Sequence, residues 1–454
     1  MAEQSSHRPN MYLTSPLIGL FAKTATPIVL VMAVNGLFTV VDAYFLGIFV
    51  GADALSAVTL MFPVFMLLIA LSTLVSNGFS SVLARRLGAG KIGDAGKAFT
   101  NAFSLSVVVC LTLIILFLLG GVPFITWLSN GTPVLAAMGY TYMSLMIFFS
   151  PVVFILAINL DALRCEGKIG FMTLITLLSS ILNIPFNFIL IVWLEFGVAG
   201  SAYGSVLAQS CALGAILFWR ARGLSSLRMS LLFDELPFRE WKEFLFLGAP
   251  TSLSYVGISL TSGTIIYCLQ VWGAENYAAT VGAYGIVTRL MTFTFLPLLG
   301  LSMAVQAIVG NNYGGNRMER VRGSMKLAVL LAFIYCITIE SIFMVSAGTI
   351  STLFVDDVLI ASETGRILPW VALSLFIFGP LLMISTYFQA IGDAGRAAIL
   401  SLSRTYAFGL PLTFSLPFLF GERGIWYAGP TAEFLVLILT LFVLFRTFRH
   451  RSLS

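Results

Sequence analysis

A backbone that must cross hydrocarbon finds no water to satisfy its N–H and C=O groups. Outside closed barrels, the one structure open to it is a helix of about 20 apolar residues. This sequence presents twelve such runs, at about 25–48, 54–84, 98–119, 134–160, 169–194, 197–219, 246–272, 278–309, 324–347, 364–390, 396–418 and 424–446. The expected fold is therefore all-α and polytopic, with twelve transmembrane helices in a lipid bilayer. Composition agrees, since 59% of residues are hydrophobic and 10% charged, a balance that would leave a soluble domain with far too much exposed apolar surface. Prolines inside the runs, at Pro27, Pro63, Pro151, Pro185, Pro250, Pro297, Pro380 and Pro411, predict kinks in helices that otherwise continue.

Orientation follows from the basic residues, which collect in cytoplasmic loops. Of the 25 Lys and Arg, only Arg289, Arg366 and Arg423 fall off one side, while Asp53, Glu195, Glu275, Asp356, Asp357, Glu363 and Glu422 occupy the opposite loops. This asymmetry predicts a multi-pass protein of the cell (inner) membrane with both termini cytoplasmic. It also accounts for the pI near 9.0 without a nucleic-acid partner. Residues 1–22 read as a cytoplasmic tail with no signal-peptide pattern, so the first helix is expected to act as its own insertion signal. Six-helix lobes are expected over 23–219 and 246–447, joined by a cytoplasmic loop over 220–245 and followed by a tail over 448–454.

The two lobes repeat each other. Gly51-Ala52-Asp53 recurs as Gly273-Ala274-Glu275; Gly78-Phe79-Ser80, with Gly88 beyond it, recurs as Gly300-Leu301-Ser302 with Gly310. Gly200 followed by Gln209 matches Gly424 followed by Glu433. Six spans per half is an even number, so both halves enter the membrane in the same direction. The expected arrangement is a pseudo-twofold axis along the membrane normal with a cavity between the lobes.

Within the first run one side chain is out of place. Asp42 is the only charge between Lys23 and Asp53, and a carboxylate near the bilayer centre costs about 2.5 to 3.5 kcal/mol on insertion scales. Asn35, Thr39 and Asp42 share one helical face, so the acid belongs to a polar stripe turned away from lipid. Other chemistries find little support. Cys110, Cys165, Cys211, Cys268 and Cys336 stand apart, and the two histidines, His7 and His450, lie in the tails. No disulfide framework or metal site is therefore expected. There is no interior Ser/His/Asp set and no P-loop. The chain is read as a non-enzyme without a cofactor.

Several stretches together carry a family resemblance. They are Asn35 to Gly47, the loop Arg86-Leu87-Gly88-Ala89-Gly90, its counterpart from Gln306 to Gly315 with Gly310-Asn311-Asn312-Tyr313-Gly314, and Pro430-Thr431-Ala432-Glu433. Over nearly its whole length the chain resembles the MATE family of multidrug and toxic compound extrusion transporters. The resemblance implies an antiporter in which entering protons or sodium ions drive export of small organic, often cationic and lipophilic compounds by alternating access. The only ion called for is that coupling H⁺ or Na⁺, and a monomer is expected. Asp42 matches the family's membrane acid, Asn35 a polar position before it, and Asn183 and Asn187 a polar pair that in many members reads Asn then Asp. Ser205 matches a hydroxyl that is usually Thr. Asn187 thus stands where relatives often carry a second carboxylate. Counted from the outer ends of their spans, Asp42, Asn187 and Ser205 all lie roughly 9 to 12 Å deep. The alternative is a lipid-linked oligosaccharide flippase of related architecture, which would be expected to show a basic central cavity.

In the second lobe the interior charges are Arg289, Glu340 and Glu433, at roughly 16, 11 and 13 Å from the outer ends. An unpaired guanidinium at such depth is costly. Arg289 is therefore expected to pair with Glu433, or else with Glu340. Met61, Met66, Met143, Met146, Met291, Met303 and Met383 are read mainly as packing or lipid-facing residues.

Overall fold

A computed structural model describes residues 10–129, 132–225, 227, 240–272, 277–354 and 357–451. Among them there is no strand. A short helix, Met11–Thr14, precedes twelve helical segments, one for each apolar run. They are α1, Leu17–Phe45 continued by Leu46–Val50; α2, Ala52–Leu60 and Phe62–Gly88; α3, Ile92–Leu128; α4, Pro133–Phe148 and Ser150–Cys165; α5, Ile169–Asn187 continued by Phe188–Trp193; and α6, Gly197–Ala221. The later six are α7, Trp241–Trp272; α8, Tyr277–Gly314; α9, Met318–Phe354; α10, Val358–Ala372 and Leu375–Ala390; α11, from Ala394–Leu402 through Ser403–Gly409 and Leu410–Ser415 to Pro417–Phe420; and α12, Glu422–Arg451. Nine of the described helices are long and apolar enough to cross a bilayer, or up to eleven with the bent α4 and α10 pairs.

The helices tolerate polar residues because the backbone absorbs them. Thr112, Thr126, Thr141, Thr176, Thr288 and Thr440 each donate to the carbonyl four residues back, which leaves none of these six hydroxyls free in hydrocarbon. Apolar side chains instead face outward. Leu116, Leu119, Trp127, Phe442 and Phe445 are exposed, as lipid contact requires and water would not allow.

Regular winding fails where geometry changes. α4 bends by 48° at Phe149, just before Pro151, and α10 by 45° between Ala372 and Leu375. Leu46–Val50, Phe188–Trp193 and Ser403–Gly409 are π-helical. Such turns are uncommon and concentrate at functional sites. Gly51 closes the first of them with φ 117°, a conformation open to glycine and strained for other residues.

The chain divides into two compact units: Met1–Gly248 with Gln306–Val321, and Ala249–Val305 with Arg322–Ser454. The first unit buries Met61, Leu68, Cys110, Phe117, Met143, Met146, Phe154 and Ala202 in one cluster drawn from α2, α3, α4 and α6. The second buries Leu269, Val287, Phe343, Ile367 and Trp426. Met61, Met143, Met146 and Met383 are all buried. All five cysteines are free thiols.

In the first unit, residues 306–320 hold the start of the chain in place. Tyr12 is fully buried, and its hydroxyl donates to the Arg164 carbonyl at 2.5 Å. Asn312 Nδ2 and Arg320 Nη2 both donate to the Tyr12 carbonyl at 3.0 Å. Beneath them Arg164 donates to Asp161 at 2.8 Å, Ser80 at 2.9 Å and Gln306 at 3.2 Å. Gly88 and Gly314 let backbones touch, since a Cβ on either would overlap the main chain of Asn311 or Arg85 respectively. The polar and glycine residues of the Gln306–Gly315 stretch are thus explained by packing.

Candidate functional site

Asp42 lies near the end of α1, four residues before the π-helical turn that begins at Leu46. Two helices, α5 and α6, pack beside it in the first unit, α5 against both α1 and α6. They supply its partners. Asn187 Nδ2 donates to Asp42 Oδ1 at 2.6 Å, and the Ser201 hydroxyl stands 3.2 Å from both carboxylate oxygens. That hydroxyl has one proton, so it can serve one oxygen at a time. Among the described residues, no ion pair includes Asp42.

From Asp42 the polar contacts continue along α5. Asn187 Nδ2 also donates to Asn183 Oδ1 at 3.1 Å, and Asn183 Nδ2 donates to Ser205 Oγ at 3.0 Å. Asp42, Asn187, Asn183 and Ser205 therefore form one connected row across three helices. Asn35 joins a separate step, accepting from Ser180 Oγ at 2.9 Å. It is two helical turns, about 10 Å, from Asp42 along α1. The side chain of Thr39 lies outside those described.

The row depends on close helix approach. Asn187 is fully buried, and a Cβ on Gly204 would overlap its Oδ1. That oxygen has no hydrogen-bond partner among the described residues. One turn earlier, a Cβ on Gly200 would press on Ile191 and the Leu190 carbonyl in the π-helical turn of α5. Gly200, Ser201, Gly204 and Ser205 thus form a small-residue face that admits α5. Ser201, Ser180 and Gly204 do not stand out in the sequence. The mark Ser201 carries is its i, i+4 spacing to Ser205 on the glycine face of α6, which does not by itself select it.

An amide and not a carboxylate at position 187 has a direct chemical meaning here. A second carboxylate 2.6 Å from the first would repel it, whereas the amide donates to it and favours its charged form. The carboxylate can still take a proton or a small cation on Oδ2, whose described partner is Ser201 alone. No group of three or more metal-ligating residues occurs among the described residues.

The charges of the second unit pair differently from the expectation. Arg289 is exposed, off the buried face of α8, and forms no ion pair among the described residues. Glu433 pairs instead with Arg404 on α11, at 2.8 Å from Nε to Oε1. Glu340 caps the second half of α10, accepting from the backbone N–H of Phe376 at 2.9 Å. Counting Arg404 with the cytoplasmic residues, and Arg289 as the one interior cation, is therefore corrected. Arg404 lies ten residues into α11, about 15 Å from its start.

The fold has counterparts among known proteins. A family model, MatE, matches residues 27–189 and 277–415. The multidrug export protein MepA of Staphylococcus haemolyticus is 26% identical over 427 residues, covering 92% of this chain and 91% of its own. The probable multidrug resistance protein YoeA of Bacillus subtilis is 24% identical, covering 97% and 94%. Among solved structures, a MATE protein crystallised in complex with MaD3S matches at TM-score 0.86 and 25% identity, over 98% of this chain and 99% of that one. The outward-facing conformation of a multidrug resistance MATE family transporter matches at TM-score 0.86 and 24% identity over the same shares.

Proposed function

The chain belongs to the MATE family of multi-pass membrane transporters, and from that premise we propose that it exports small organic compounds, chiefly lipophilic cations, in exchange for protons or sodium ions. The class of cargo is supported by the relatives named for multidrug export and multidrug resistance. The coupling is carried by one observation: a single carboxylate, Asp42, held inside the spans by Asn187 and Ser201 with no permanent counter-cation among the described residues.

In this reading Asp42 faces one side of the membrane at a time. With the site open outward, a proton or cation lands on the carboxylate and cancels its charge. The donors Asn187 and Ser201 then lose an anion to hold, which lowers the cost of moving α1 against α5 and α6. Open inward, the ion leaves, the charge returns, and a cationic compound can occupy the site in its place. We place both termini in the cytoplasm of a cell with an inner membrane, on the strength of the basic-residue asymmetry.

The test is export of a fluorescent cationic dye from proteoliposomes under proton and sodium gradients imposed separately. Export driven by at least one of them is expected. If neither gradient drives it, the antiporter reading is wrong.

A further inference from the structure

The bend of α10 is held by a side chain from another helix. Its halves, Val358–Ala372 and Leu375–Ala390, meet at 45°. Sharp bends come from proline, from an extra residue in a turn, or from a side chain inserted into the backbone ladder. Pro369 and Pro380 flank the break, but they remove the rungs that would reach the carbonyls of Gly365 and Phe376. The rung between those two runs from the Phe376 N–H to the Ala372 carbonyl in a regular helix. Glu340 of α9 intervenes there, its Oε2 accepting from the Phe376 N–H at 2.9 Å. Ser374, at the N-cap of the second half, makes no side-chain capping bond. The start of that half therefore relies on a carboxylate supplied by α9.

A charge is an expensive way to cap a helix inside a span. Ile339 and Phe343, on either side of Glu340, pack in the same cluster as Ile367, Leu368 and Ala372 of α10. Glu340 is 9% exposed, and among the described residues it forms no ion pair and its Oε1 no hydrogen bond. A hydroxyl or an amide would cap the helix without placing a carboxylate in the membrane. What a carboxylate adds is that it can lose its charge. The anion is the stronger acceptor, and a helix start favours it. Once protonated, Glu340 holds the Phe376 N–H less well, and the Ala372 carbonyl competes for the same proton.

The other titratable groups on the packed elements are few. α10 has none from Ile367 to Thr386. On α9 the neighbours are Cys336, one turn back, and Tyr335, whose hydroxyl donates to the Thr294 carbonyl of α8. Arg289 of α8 is exposed, and Cys268 of α7 is a buried thiol. On α11 and α12, Arg404 pairs with Glu433 at 2.8 Å, and Glu422 pairs with Arg366 of α10 at 2.6 Å.

We propose that Glu340 is a proton-operated wedge: its carboxylate keeps α10 bent, and a proton on it lets the helix wind through Ser374 by returning the Phe376 N–H to the Ala372 carbonyl. The second unit then carries a conformational switch of its own, separate from Asp42. The wedge stands apart from the export reading, since it concerns the shape of one helix and requires neither cargo nor gradient.

The test is a distance in the full-length protein in detergent. Phe333 of α9 packs edge-on against Phe376, with centroids 6.5 Å apart, so α9 is a reference for the second half of α10. Spin labels at Leu359→Cys in the first half and Ile334→Cys on α9, both exposed positions, read the bend by pulsed electron resonance. Cys211→Ser removes the exposed native thiol and leaves the four buried ones in place. One distance is expected at about pH 8, with most of the population shifting to a second by about pH 4.5, the range in which carboxyls take protons. Glu340→Gln should show the second distance at both pH values. Phe376→Pro has no N–H to hand over, and it falls in a first turn, where proline is tolerated. It should show the first distance at both. A wild-type distance that ignores pH overturns the wedge, as does a pH response that survives in Glu340→Gln or in Phe376→Pro. Should Glu340→Gln fail to fold, the wild-type and Phe376→Pro series decide between them.

Discussion

Replacing Asp42 with Asn removes the one group in its row that can change charge, while keeping the shape and most of the hydrogen bonds. We expect Asp42→Asn to insert and express as the wild type does but to lose gradient-driven dye export, measured in proteoliposomes; export at the wild-type rate would make the residue structural. Arg404 and Glu433 invite a different experiment. Either neutralisation alone leaves a buried charge unpaired, at a cost of about 3 to 5 kcal/mol, whereas Arg404→Gln with Glu433→Gln should recover part of the loss. Thermal unfolding in detergent across that double-mutant cycle reads the coupling, and strictly additive losses would refute it. These residues also mark how far a sequence can be read. Asp42 stands out because no other charge lies between Lys23 and Asp53, and the common depth of Asp42, Asn187 and Ser205 anticipates their hydrogen-bonded row. Ser201 does not stand out, since serines recur throughout these spans and only the fold selects the one that meets a carboxylate. Arg404 is lost among basic residues of the loops, because distance from a span's end along the chain does not reveal which face a side chain takes.

Helices are predictable where they are long and apolar, and all twelve runs become helical segments because the bilayer admits little else. Pro151 foreshadows the bend of α4. Nothing foreshadows the π-helical turns, because an extra residue in a turn leaves no mark on composition. Each such turn rotates the C-terminal part of its helix relative to the N-terminal part, and α6 meets the π-helical part of α5 through Gly200 and the Asn187 amide just before it through Gly204. Gly204→Ala places a methyl group on Asn187 Oδ1, so we expect the amide to be pushed off Asp42, with a fall in thermal stability of about 1 to 3 kcal/mol and a loss of export. Gly214 on the same helix has open space where its Cβ would be. Gly214→Ala is the control, expected to keep export and to be neutral or slightly stabilising, since alanine favours a helix over glycine; an equal loss in both variants would show that the Asn187 contact is not what is at work.

At the scale of the molecule, the most telling feature is that residues 306–321 belong with a unit otherwise built from the first 248. Tyr12 reports on that assembly. Burial pushes its phenol well above the ordinary range, so the docked side chain stays neutral where a free one ionises. Docking is then fully stable below about pH 10 and weakens as pH rises beyond it. Thermal unfolding should show an alkaline loss that is smaller in Tyr12→Phe, which itself costs about 1 kcal/mol at neutral pH from the missing bond to Arg164; an unchanged alkaline slope would remove Tyr12 from the docking. The same feature sets an order of events during synthesis. A ribosome that has finished Gly248 has made nearly all of the first unit, yet the carbonyl of Tyr12 has no Asn312 or Arg320 to bind, and Arg164 has no Gln306. About 70 more residues must be made, which takes roughly 4 to 15 s at ordinary elongation speeds. Through that interval the nascent chain carries an unclosed first half, and its N-terminal residues should remain open to protease on ribosome-bound chains stopped near 250 and become protected on chains long enough to expose residue 321.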